Sequence, residues 1–424
     1  MEILNNVDLT YAENAKDNVG ISFSNDRVEL VVPKFFRIEK DEHVLKTDIL
    51  LFLESISIAK KINYKNSSNT KDNDDGWPIE SYVWLIHDYL ENGFYYKRET
   101  VYSKDLNGKI SWKRTLKNTP IISNGNIIYD KLITSKNSPS NDLITHIYKI
   151  CLKESLEKVG WLFNYGFKIL EFPLISSEEM VYRVKSEMAS TYDDVKRIRF
   201  KHMLNILEKV DDQAIKKDRF QYQINNYYYV FEQMIDSIFN GLSGKEKKRY
   251  NPTGHWMLLG EDDPKKASDL RPDTVCKVDD ETFIIDAKMY QYGCTHNIDD
   301  LPDTQSLQKQ VTYGEYVFNK IDRNGKVRNA FILPYDKELE SFKNDENIYR
   351  YDDSNLVYIG EGYVDWTDVA NKKDHERIFA FLIDFNYLLN HYTAKNKMLG
   401  NLATKIDSLL EKDINNRKED NIED

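Results

Sequence analysis

The stretch "LRPDTVCKVDDETFIIDAKMYQ", residues 270–291, sets Pro272-Asp273 ahead of an Asp286-Ala287-Lys288 that closes a run of Phe and Ile. It reads as a hairpin: a first strand from Thr274 to Val278, a turn at Val278-Asp279-Asp280-Glu281, and a second strand "TFIIDAKMY". Asp286 and Lys288 stand two apart in that second strand, so they project from one face while Ala287 points to the other. Pairing across the turn returns Asp273 to the far end of the second strand, beside Asp286. Ionised groups are costly at the end of an apolar strand unless something binds them. Two carboxylates with a neighbouring backbone carbonyl make an all-oxygen site for Mg²⁺, which also accepts substrate phosphate oxygens. An adjacent ammonium can orient or deprotonate the attacking water, so the set points to hydrolysis of phosphodiesters, with Asp273 and Asp286 on the metal and Lys288 on the water.

Composition narrows the setting. The chain has 424 residues, 41% hydrophobic and 30% charged, enough for two or three domains. The formal net charge of −11 argues against a coat of basic residues but leaves room for a local basic cleft. Cys151, Cys276 and Cys294 form neither a CxxC pair nor an even framework, which predicts free thiols in a reducing cytoplasm and no structural zinc. No apolar run is long enough to span a membrane, and the start of the chain lacks the basic and apolar regions of a signal peptide, so a cytoplasmic protein is expected.

Short strands and helices alternate through the first third. "GISFSNDRVELVVPKFF" predicts two strands around Ser24-Asn25-Asp26, and residues 46–62 a helix capped by Thr47 or Asp48. "YKNSSNTKDNDDG" has almost nothing to bury and reads as a surface loop, while "PIESYVWLIHDYLENG" reads as a helix closed at Asn92-Gly93. Residues 94–120 interleave Tyr95, Tyr96, Tyr102 and Trp112 with Lys97, Arg98, Lys109, Lys113, Arg114 and Lys117 around Asn107-Gly108. That pattern fits a nucleic-acid surface or, equally, a solvated hairpin with an aromatic inner face. A basic amphipathic helix after Tyr192 offers Lys196, Arg197, Arg199 and Lys201 as DNA contacts, although such a face is more often merely solvated.

From about residue 213 the order is a helix, the hairpin, a helix at "SLQKQVTYGEYVFNKI", strands at "RNAFILPYD" and "NLVYIGEGYVDW", and a helix at "ERIFAFLIDFNYLLNHY". This predicts a mixed α/β (α+β) domain with a central sheet. Glu232 sits among apolar neighbours on the helix before the hairpin, either as a further acid of the metal site or as a Glu at the rim of an apolar stripe. Lys309, Gln310 and Tyr313 fall within one helical turn; Gln310 and Tyr313 share a face and could reach Lys288 or a scissile phosphate, or simply begin a polar helix. His255 and His296 lack ligand spacing, and there is no GxxxxGK[ST], GxSxG or HExxH.

Arg271-Pro272-Asp273 followed by Ile284-Ile285-Asp286-Ala287-Lys288 resembles the core of the PD-(D/E)xK nucleases, and "DAKMYQYG" with "LPDTQSLQKQVTY" resembles the LlaJI family of restriction endonucleases. Those proteins are similar to McrC, the nuclease subunit of a modification-dependent restriction complex, and "NGKISWKRTL" matches a stretch they carry ahead of the nuclease domain. The resemblance implies metal ligation by Asp273 and Asp286, a catalytic Lys288, a helix acid at Glu232, and Gln310 and Tyr313, beside Lys309, as supporting groups. It also implies a Mg²⁺-dependent deoxyribonuclease of a phage-defence restriction system acting on double-stranded DNA, with a separate McrB-like AAA+ GTPase, a partner suited to a chain without a nucleotide loop. Residues 302–305, Pro-Asp-Thr-Gln, depart from the family pattern.

The expected organisation is an N-terminal mixed α/β module over 1–90 for partner docking or DNA reading, a basic, aromatic and helical region over 91–212, a nuclease domain with a mixed central sheet over 213–400, and a frayed charged tail over 401–424. One nuclease site cuts one strand, so a double-strand break implies two copies meeting on DNA. Two other readings use the same residues: a non-catalytic, DNA-binding or GTPase-activating McrC-like subunit, and a repair nuclease on the same core.

Overall fold

The computed structural model describes residues 7–13, 17–24, 27–66, 78–104, 108–124, 126–129, 131–140, 142–163, 175–210, 219–323, 325–339, 355–367, 373–393 and 398–420. The chain divides into two compact units, one of residues 1–74 with 221–424 and one of residues 75–220. The first is discontinuous, because the N-terminal segment packs against elements more than two hundred residues later.

The centre of the discontinuous unit is a five-stranded mixed sheet in the order Thr274–Val278, Glu281–Ala287, Lys326–Tyr335, Ile378–Asp384, Leu356–Gly362. The first pair is the expected hairpin, with Thr274 opposite Ile285 and Val278 opposite Glu281. Asp279 takes a left-handed φ of 49° at the turn, a conformation that Asp tolerates better than most residues. The next two pairings are parallel and the last is antiparallel. The helix Thr304–Lys320, capped by Asp303 accepting from the Ser306 N–H, lays Tyr313 and Val317 on Val275, Ile284 and Val327. The alternation of the second hairpin strand therefore puts Ile284 and Asp286 on the face that this helix covers.

One helix expected from sequence is in large part a strand. "IFAFLID" forms Ile378–Asp384, buried along its whole length between two neighbours, and the helix begins only at Phe385. A strand covered on both faces shows an unbroken apolar run without a period of two, which in the sequence is indistinguishable from a buried helix. The two other strands of this region lie where expected. Past residue 400 the chain is helical through Asp420, with Leu402 and Ile406 in the core, so most of the expected frayed tail is helix.

The N-terminal segment supplies the hairpin Val19–Ser24 and Arg27–Val32, whose second strand also pairs in parallel with Val7–Tyr11; residues 25 and 26 of its turn lie outside the described residues. The following helix is longer than expected, Glu42–Asn66, and begins at Asp41, whose Oδ1 accepts from the His43 and Val44 N–H groups. Asp48 is not a cap but a buried acceptor for Asn386 and Asn390. Arg37 donates to Asp336 and Asp384, both at 2.9 Å, fastening this segment to the ends of two central strands. The loop expected after this helix lies outside the described residues from 67 to 77.

The second unit packs helices Ile79–Asn92, Leu143–Val159, Ser177–Ser190 and Asp194–Val210 around Tyr148, Cys151, Val184 and Phe200. Gly93 closes the first of these with a φ of 70°. The aromatic and basic stretch is not a hairpin with itself. Lys97–Ser103 and the short Lys109–Ile110 strand both pair with Thr134–Ser140, and Trp112–Thr115 is a short helix. All three cysteines are free thiols, and no helix among the described residues is long and apolar enough to cross a membrane.

Candidate functional site

Three elements of the discontinuous unit meet at one end of the hairpin. The helix Tyr228–Ile238 packs on both hairpin strands and carries Glu232 and, one turn on, Asp236. Asp236 Oδ1 takes hydrogen bonds from Lys247 Nζ and Thr274 Oγ1, both at 3.0 Å, and Lys247 also donates to the Asp273 carbonyl. The helix, the short helix Gly244–Lys248 and the first strand are thus tied together directly behind Asp273.

At the hairpin end, Asp273 Oδ2 accepts from the Ala287 N–H at 3.1 Å, which sets the Asp273 carboxylate beside Asp286 as cross-strand pairing requires. Asp286 is 1% exposed. Lys288 Nζ stands 2.6 Å from Asp286 Oδ2, as expected for side chains on the same face of the strand. The Lys288 ammonium is therefore the close ion-pair partner of a carboxylate whose two oxygens are both buried.

The electrostatics register the crowding. Burial first, then the charge of Asp286, holds Asp273 well above the usual carboxylate range. Burial pushes Glu232 up to about 7; Lys288 opposes the shift and Asp286 adds to it. Burial alone would lower Lys288, but the Asp286 carboxylate beside it, reinforced by Asp273, outweighs burial and holds the ammonium above its ordinary value. Tyr313 is also pushed up, by burial first and then by Asp286 and Asp273, so its phenol stays neutral close to both carboxylates. Lys309 lies over the Tyr313 ring and within electrostatic reach of Glu232. Three carboxylates are gathered around one half-buried ammonium, with fewer donors than acceptors, an environment that a divalent cation with oxygen preference would satisfy.

The remaining residues singled out from sequence fall elsewhere. Gln310 is fully buried and donates to the Ile284 carbonyl at 2.8 Å and to Asn329 Oδ1 at 3.3 Å, bracing the covering helix against two central strands rather than reaching Lys288. In the second unit, Lys113 and Arg114 lie exposed on the short helix, with the Arg114 guanidinium over the Tyr102 ring. Arg197 is exposed, and Lys196 is half-buried beside Asp193. Arg199 is buried and bidentate to Asp88, with both contacts at 2.7 Å, so its guanidinium is committed to the interior. Asp236 and Lys247 were not singled out from sequence, although Asp236 stands four residues after Glu232 in the same apolar helix, which is a legible signal.

Comparison with known proteins follows the same hairpin outward. The family described as LlaJI restriction endonuclease matches residues 18–359. "Type II restriction enzyme BsuMI component YdjA" from Bacillus subtilis (strain 168) is 22% identical over 351 residues, covering 77% of this chain and 73% of that protein. Among solved structures, the half-complex of Thermococcus gammatolerans McrB AAA+ hexamers with bound McrC aligns at 13% identity and a TM-score of 0.37, over 91% of this chain and 82% of that one. The McrBC complex of the same organism aligns at 13% identity and a TM-score of 0.21, over 51% and 63%.

Proposed function

The chain belongs to the LlaJI restriction endonuclease family, and from that premise we propose that it is the nuclease component of a restriction system, hydrolysing phosphodiesters of double-stranded DNA at the end of the 274–287 hairpin. We assign the nuclease to residues 213–400 on the PD-(D/E)xK pattern. The observation that carries the reading is the buried Asp286 carboxylate, paired at 2.6 Å with Lys288 and crowded by the charges of Asp273 and Glu232.

Asp273 and Asp286 would hold Mg²⁺, which when bound supplies positive charge for the phosphate and lowers the pKa of its water. Each other residue has work that its surroundings support. Lys288, kept protonated by Asp286, presents Nζ as a fixed cation that orients the attacking water and the phosphate oxygens; with its pKa raised it is a poor proton acceptor. Glu232, poised at about 7, is the carboxylate that can take up or release a proton near neutral pH. The neutral Tyr313 phenol and Lys309 border the same space. Asp236 and Lys247 are positioning residues that hold the Asp273 backbone.

The rest of the machinery is inferred from the family. A separate McrB-like AAA+ GTPase suits a sequence with no phosphate loop and a relative named as one component of an enzyme. Lys113, Arg114, Lys196 and Arg197 are the DNA contacts proposed on the second unit, and two copies would meet on DNA for a double-strand break. The test is cleavage of methylated and unmethylated plasmid by the purified chain with Mg²⁺, with and without the GTPase and GTP. Metal-dependent cutting that disappears in Asp286→Ala supports the reading. DNA binding without cutting under every one of these conditions points instead to a non-catalytic subunit.

A further inference from the structure

Away from the hairpin end, the helix Thr304–Lys320 meets the single turn Asp374–Glu376 that leads into the central strand Ile378–Asp384. Glu315, His375 and Glu376 converge there, one ligand atom of each lying within 4.8 Å of the others. The His375 side chain is 4% exposed, and its Nε2 is buried without a hydrogen-bond partner, 3.5 Å from Glu315 Oε1. Ligands on a tetrahedral zinc ion with bonds of about 2.0 Å stand ~3.3 Å apart, so this pair already has the spacing of two ligands on one ion.

The surroundings hold these groups in place. The His375 ring is stacked on Phe318, with centroids 4.2 Å apart and planes 14° from parallel. Its backbone carbonyl accepts from Asn329 Nδ2 at 2.6 Å, and Gly314 lets the helix approach, since a Cβ there would come within 2.2 Å of that carbonyl oxygen. Each carboxylate has one oxygen occupied by the protein: Glu315 Oε2 accepts from Asn319 at 2.8 Å, and Glu376 Oε2 from the Lys373 N–H at 3.1 Å. The second oxygen of Glu315 faces His375, and that of Glu376 is approached at 3.3 Å by the ammonium of Lys373, a side chain 63% exposed. Carboxylate ligands oriented through their other oxygen are the usual outer shell of a metal site. Glu315 and Glu376 also line an open cleft with Gln308, Thr312 and Trp366, through which an ion and a water ligand can arrive.

We propose that Glu315, His375 and Glu376 form a second divalent-metal site, separate from Asp273 and Asp286, which takes a borderline cation of the Zn²⁺ class and clamps the covering helix to the central sheet. One imidazole nitrogen with two carboxylates selects such ions over Mg²⁺ or Ca²⁺, which favour all-oxygen cages. The clamp would fix the helix that carries Lys309 and Tyr313.

The experiment is a titration of the full chain, stripped with chelator, with Zn²⁺ by calorimetry and with Co²⁺ by visible absorption, reading the melting temperature alongside. The expected result is one equivalent of Zn²⁺ or Co²⁺ that Asp286→Asn retains, with a visible band from four-coordinate Co²⁺ and a raised melting temperature, and loss of that equivalent, the band and the rise in His375→Gln and Glu315→Gln. Glu315 is partly exposed, so its variant decides the matter if His375→Gln does not fold. No bound equivalent in the wild type, or an equivalent that survives Glu315→Gln and disappears in Asp286→Asn, overturns the proposal.

Discussion

Glu232→Gln removes a charge without changing shape, and its effect on stability should depend on pH in a way that wild-type burial dictates. In the fold the Glu232 carboxyl is pushed from its ordinary 4.5 up to about 7. The folded state therefore binds this proton more tightly than the unfolded chain. The stabilisation is fully present below about pH 4.5 and is lost progressively as pH rises towards 7 and above. A rise of about 2.5 at ~1.4 kcal/mol per pH unit makes the whole effect roughly 3 kcal/mol, of which about 2 to 3 kcal/mol falls between pH 5 and pH 8. In chelator, wild type should thus lose that much relative to Glu232→Gln over this interval, read as the difference between their urea-unfolding midpoints at the two pH values. The comparison cancels the groups remote from Glu232, while Asp273, which the Glu232 charge helps to raise, adds to the difference. Mg²⁺ added to the wild type at pH 8 should restore most of the loss, since a cation at ~100 times its Kd contributes about 2.7 kcal/mol. Parallel pH profiles for the two proteins would refute the argument, because they would mean that Glu232 does not share the crowded charge of Asp273, Asp286 and Lys288.

Three further outcomes follow from the same contacts. Asp286→Ala and Lys288→Ala should each abolish Mg²⁺-dependent cleavage while DNA affinity stays within severalfold in a filter-binding or gel-shift assay; wild-type cutting by either variant removes these residues from the mechanism. Arg199→Ala should destabilise the second unit by about 3–5 kcal/mol in urea unfolding, because it strands the buried Asp88 carboxylate, whereas Arg197→Ala should be close to neutral; equal effects would contradict the burial seen here. Gln310→Ala should lower stability by ~1–3 kcal/mol through the unbraced Ile284 carbonyl and lower cleavage only in step with unfolding, and lost cutting in a fully stable protein would place Gln310 at the reaction instead.

What sequence could show here depended on how far apart the partners lie along the chain. The 274–287 hairpin was legible because turn, alternation and charged end fall within one short window, and Asp273, Asp286 and Lys288 meet as their register requires. Glu232 was legible as an acid out of place in an apolar helix. Ile378–Asp384 was not, since a strand buried on both faces has no period to read. Nor was the pairing of Lys97–Ser103, whose partner strand begins some thirty residues later. Arg199 looked like one more cation on a basic helix because its partner Asp88 stands 111 residues away. In the sequence Gln310 reads as a group able to reach Lys288 or a scissile phosphate; that it instead finds the Ile284 carbonyl depends on the assembled sheet.

The discontinuous unit also has a history during synthesis. Phe36 and Phe52 of the first segment are buried, and the Phe52 ring packs on Tyr227, which leaves the ribosome only after all of residues 75–220. At roughly 5–20 residues per second, those 146 intervening residues (220 − 75 + 1) take on the order of ten to thirty seconds. For that time the first segment is apolar surface without its partners, while the inserted unit has everything it needs to fold. Glu232, Asp273 and Asp286 all follow residues 75–220 in the chain, so the carboxylate cluster cannot gather before the inserted unit has been made.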